Sequence, residues 1–214
     1  MTSAATTYCG LMEDIKKRVA LVRRFTRGQV SLGRDDFDAE TLCIQIRKIL
    51  ESIAFGSLVA HQATYEAAHA DIETRWRAKQ ILDRMEAVHP KFYPEPMTPN
   101  LTDGKGRMEP FAGNFLTRDD FVTLYDLCGS ALHMWNPFRP GPRVIDFGRS
   151  LDQWCDLIQA LLHHHVIWMY AEIEPGDGWF VQMDHPDDHK VHAFLFAPVS
   201  SDETETGDIT ASSE

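Results

Sequence analysis

The chain has 214 residues, of which 43% are hydrophobic, and a net charge of −11. That is enough apolar content for one sizeable core and too little length for two full domains. The acidic balance argues against nonspecific binding to nucleic acid or an anionic membrane, and with no apolar run near the roughly 20 residues that cross a bilayer, and no basic-then-apolar leader at the start, no membrane partner and a soluble, cytoplasmic protein are expected.

The charge is uneven. Residues 1–50 hold nine Lys/Arg against six Asp/Glu, whereas residues 151–214 hold one Lys against thirteen acids. Residues 1–10 are small and polar and are expected to be disordered. Leu11, Ile15, Val19, Val22 and Phe25 then mark an amphipathic helix whose other side carries Lys16, Lys17, Arg23, Arg24 and Arg27, with Gly28 as its stop. Asp38 is the expected cap of the next helix. Leu42 to Ala60 repeats apolar residues at helical spacing and becomes almost wholly apolar after Glu51, so it should be the buried central rod. Arg47 and Glu51, one turn apart, suit an ion pair at its edge.

A third helix is expected from Thr64 to Val88, stopped by Pro90. Pro90 to Leu116 is rich in Pro and Gly without a period and reads as a long loop packed on the body through Phe92, Tyr93 and Phe111. Thr117 with Asp120 resembles a capping box opening a fourth helix, and Ser150 with Gln153 opens a fifth. From His165 the pattern switches. HVIWMYAEIE, GWFVQMD and KVHAFLFAPV are β-branched and aromatic, separated by EPGDG and HPDDH, which predicts a three-stranded antiparallel meander. The fold class is therefore α+β: about five helices, then a C-terminal β-meander, in one domain over residues 11–199 with a disordered acidic tail at 200–214. Cys9, Cys43, Cys128 and Cys155 are scattered singly and fit neither a disulfide framework nor a CxxC metal site.

Among candidate functional residues, His163, His164 and His165 cannot face one way, because neighbours on a helix point about 100° apart; helix capping is their expected role. In MDHPDDHKVH, a hairpin turn could converge two imidazoles and a carboxylate on a zinc-type ion, yet Asp and His are ordinary turn residues. No metal or cofactor is expected, and His185, His189 and His192 are the ligands to inspect. Arg84-Met85-Glu86-Ala87-Val88-His89 resembles the R-Φ-x(3–6)-H motif of the HEPN helical domains, many of which are ribonucleases. That resemblance implies a metal-independent ribonuclease acting on RNA as a homodimer, with Arg84 stabilising phosphate and His89 assisting attack by a ribose hydroxyl.

Without a specific catalytic motif elsewhere, the favoured reading is a non-catalytic interaction protein. It would hold a protein partner through the 90–116 loop, by Phe92, Tyr93 and Phe111, or through the basic first helix, by Arg23 and Arg24. The HEPN-like enzyme is the alternative.

Overall fold

The computed structural model describes residues 3–61, 78–102, 105–134, 138, 145–169 and 177–196. Among them are five helices, α1 (Ser3–Thr26), α2 (Asp35–Ala60), α3 (Ala78–Val88), α4 (Arg118–Leu132) and α5 (Leu151–Leu162). Five strands accompany them, β1 (Glu95–Thr102), β2 (Lys105–Pro110), β3 (His164–Trp168), β4 (Gly178–Gln182) and β5 (His192–Phe196). The architecture is α+β, with an antiparallel sheet in the order β2-β1-β3-β4-β5.

The expected central rod is central. α2 packs against α1, α3 and α4, and Ile46, Ile49, Leu50 and Ala54 are fully buried. Its start differs from expectation, for Arg34 occupies the cap position without a side-chain capping hydrogen bond. Asp38 lies inside the first turn, where its Oδ1 accepts the Leu32 N–H at 2.6 Å. Asp35, Asp36 and Asp38 instead offset the positive end of the helix dipole. Arg47 is drawn into the α2–α4 seam. Its Nη2 donates to the Tyr125 hydroxyl at 2.6 Å, its guanidinium lies 4.0 Å from the centre of that ring, and Glu51 completes the pair at 3.6 Å. Gly129 leaves room for it, since a Cβ there would stand 2.9 Å from Arg47 Nη1.

Two segments depart from expectation, and a third is described only in part. α1 begins at Ser3 and not at Leu11, because burying Tyr8 and Met12, both with no exposed surface, orders the small residues before them. Of the helix expected over 64–88, residues 78–88 are helical and the rest lies outside the described residues, as does the tail after Phe196. The 90–116 segment is not a loop throughout: β1 and β2 form an antiparallel hairpin from Met97↔Pro110 to Thr102↔Lys105. It joins the sheet through Glu95↔Val166 and Pro96↔His165, so the sheet has five strands where three were expected.

The other signals hold. Gly28 follows α1 with φ 67°, the left-handed conformation that glycine adopts at a helix end. Both capping boxes, Thr117/Asp120 and Ser150/Gln153, are formed. The three C-terminal strands pair as a meander, with His165, Ile167, Trp179 and Val181 buried. All four cysteines are free and buried.

Candidate functional site

The residues expected to hold a partner separate into structural and surface groups. Phe92 is 1% exposed and belongs to the core, where it packs edge-on against Tyr93 at 6.1 Å; it is not a contact residue. Tyr93 is half-buried, and its hydroxyl donates to the Leu116 carbonyl at 3.2 Å. Burial pushes that hydroxyl's pKa up. Phe111 remains half-open and lines a shallow depression with Met97, His163 and His164.

On α1 the two arginines have different roles. Arg23 reaches across to α5, where Nη2 donates to Asp156 at 2.6 Å and to Gln159, while Nη1 lies 3.5 Å from Asp152. The Asp156 hydrogen bond raises its pKa. Arg23 is therefore a clamp between helices and not a free contact, a correction to the sequence reading. Arg24 is exposed, as are Lys17 and Arg27. With Ala20, these positions follow one another at spacings of three and four residues and so form one stripe.

Beside that stripe runs a groove of about 430 Å³ between α1 and α5. Its floor is apolar, with Ile15, Val19 and Ala20 from α1 and Ile158 and Leu162 from α5, and Met183 closes one side. Lys16 and Asp184 mark its end at the β4–β5 turn. There Lys16 Nζ donates to the His189 carbonyl at 2.6 Å and lies 3.7 Å from Asp184.

The helix-end pair Arg84 and His89 is not presented together to solvent. His89 is 9% exposed, and its Nε2 approaches the Trp168 carbonyl at 3.1 Å. His61 shares that carbonyl at 2.8 Å, with the two rings 5.1 Å apart. Desolvation lowers the pKa of both imidazoles. His89 thus serves as an internal hydrogen-bond donor, and this placement lends no support to a catalytic role.

The histidine triplet divides between surface and core. His163 follows α5 as its cap, with its N–H on the Gln159 carbonyl, and His164 is half-buried against Phe180. His165 has no exposed surface. Its Nδ1 donates to the Leu162 carbonyl at 2.7 Å, so Nε2 accepts the Tyr8 hydroxyl at 2.6 Å. Both nitrogens are satisfied in the neutral ring, and desolvation lowers its pKa to about 4. The signal for this core histidine was the two-residue alternation that places it with Ile167 on the inner face.

The third histidine group does converge, with one substitution. His185, Asp188 and His192 bring one potential ligand atom each to within 4.8 Å of one another. His192 Nε2 lies 3.1 and 3.2 Å from the two Asp188 oxygens, and the His185 and His192 rings are 4.3 Å apart. Asp188 also accepts the Lys190 N–H at 3.0 Å; that bond and His192 hold its carboxyl pKa below the usual value. His189 is not a member of the cluster. It adopts φ 57° and is directed at Asp184, 3.3 Å away. The sequence offered Asp184, Asp187 and Asp188 as the carboxylate of this turn without choosing among them, and the structure selects Asp188, at His-x2-Asp-x3-His spacing. Compared with known protein families, curated proteins and solved structures, the chain matches none.

Proposed function

We propose that the chain is a non-catalytic, cytoplasmic binding protein that holds an acidic, amphipathic helix of a protein partner along the α1–α5 groove. The observation that carries this reading is an apolar groove bordered by a basic stripe in a chain whose net charge is −11. Lys17, Arg24 and Arg27 are exposed, and none is in an ion pair among the described residues. An amphipathic helix binds such a surface by setting apolar anchors into the groove while its charged flank meets the rim. Electrostatic complementarity then selects an acidic partner and speeds encounter. Four free, buried thiols suit a reducing compartment, and no helix among the described residues is long and apolar enough to cross a membrane.

A photo-crosslinking residue in place of Ala20, which lines the groove and is exposed, tests this in cells. The expected product is one crosslinked protein whose attached peptide is acidic and amphipathic, lost on Lys17→Glu/Arg24→Glu in a chain that melts normally. Capture indifferent to that charge reversal, or through a peptide without acidic character, would overturn the proposal. Capture from position 111 and not from position 20 would move the interface to the β1–β2 hairpin.

A further inference from the structure

The β4–β5 turn carries an arrangement that partner binding does not use. We propose that His185, Asp188 and His192 form a divalent transition-metal site of the zinc class. Two imidazoles and one carboxylate are a ligand set suited to Zn²⁺ and its first-row neighbours, and ill suited to Mg²⁺ or Ca²⁺, which take oxygen ligands. Tetrahedral coordination at zinc–nitrogen and zinc–oxygen lengths separates neighbouring ligand atoms by about 3.3 Å. His192 Nε2 already stands 3.1 Å from Asp188 Oδ1, and the whole set falls within 4.8 Å. Closing on an ion therefore needs ligand-atom shifts of up to about 1.5 Å, within the reach of side-chain rotation.

The turn is held in place from outside. Glu13 of α1 accepts the Val191 N–H at 2.7 Å, Lys16 binds the His189 carbonyl at 2.6 Å, and the His185 N–H closes the turn on the Lys190 carbonyl at 2.9 Å. His189 absorbs the left-handed residue of the turn, a conformation uncommon outside glycine. That conformation brings His185 and His192 to the same end of the turn. Both rings neighbour Phe194, at 6.3 and 6.1 Å, which limits their rotation. Asp188 is exposed, so solvent completes the coordination sphere.

The test uses the full, untagged chain freed of metal by chelator. Titration with Co²⁺ should develop tetrahedral visible absorption to one equivalent, and Zn²⁺ should displace it. His185→Ala, Asp188→Asn and His192→Ala should each weaken binding at least about tenfold with unchanged circular dichroism. His189→Asn, which removes the imidazole and tolerates the left-handed backbone at this position, should bind as the wild type does. Absence of saturable binding, or binding that survives the three substitutions or disappears with His189→Asn, would overturn the site.

Discussion

The buried Tyr8–His165 pair makes stability depend on pH in a way that one substitution isolates. His165 titrates at about 4 in the folded chain, against 6.5 when exposed, because burial disfavours its charged form. Between those values the unfolded chain binds the proton and the folded chain does not. The contribution is complete above about pH 6.5 and is lost as pH falls toward 4. Linkage over that interval gives a destabilisation of about 2 kcal/mol between pH 7 and pH 5 from this residue alone. For a chain of this length that corresponds to about 4–8 °C in melting temperature. His165→Gln removes the titration while keeping one acceptor for the Tyr8 hydroxyl and one donor for the Leu162 carbonyl. Denaturant unfolding of both proteins at pH 7 and pH 5 should show the variant losing about 2 kcal/mol less on acidification. His61, His89 and His164, whose pKa values are also lowered, contribute equally to both proteins and cancel in the difference. Identical acid sensitivity in the two would refute the assignment of a neutral, fully buried His165.

Two further outcomes follow from named contacts. In a double-mutant cycle, Arg47→Met and Tyr125→Phe should show a coupling of about 1.5 kcal/mol, because the 2.6 Å bond joins a charged donor to a half-buried hydroxyl; additivity within about 0.5 kcal/mol would show that the contact contributes no net stability. Ser150→Ala should lower stability by about 1 kcal/mol in denaturant unfolding by uncapping α5, and an unchanged midpoint would mean that packing against α1 alone sets that helix.

Helix periodicity and capping chemistry carried most of the fold. Leu42–Ala60, the Thr117 and Ser150 boxes and the switch to strands near His165 are all local patterns, and local patterns are what a sequence displays. The β1–β2 hairpin is invisible by the same standard. Pro96, Pro99 and Pro110 interrupt any alternation, and proline is tolerated because β2 is the sheet's outer strand and only Glu95 and Pro96 of β1 pair with β3. The early start of α1 was hidden for a related reason. Nothing local orders Ser3 to Thr7, but Tyr8 finds His165 across 157 positions of sequence, and that contact cannot be read from either segment alone. At the turn, composition named the histidines, while the left-handed backbone at His189 decided which carboxylate joined them.

The charge asymmetry resolves on α1 into two kinds of cation, those matched within the chain and those left on the surface. A basic start and an acidic end suggested free cations awaiting a partner, and part of that charge is matched within the chain: Arg23 by Asp152 and Asp156 of α5, Lys16 by Asp184 of the β4–β5 turn. Glu13 and Lys16 pin the turn that carries His185, Asp188 and His192, so α1 ties α5 and the turn together along one side of the groove. Reversing Arg23 would place a carboxylate between two others and loosen the helix pair, and any loss of partner binding would then report misfolding. Arg24, one residue on and about 100° around the helix, faces solvent. Its reversal changes the field along the groove without breaking a contact, and for that reason Arg24, and not Arg23, separates recognition from stability in this chain.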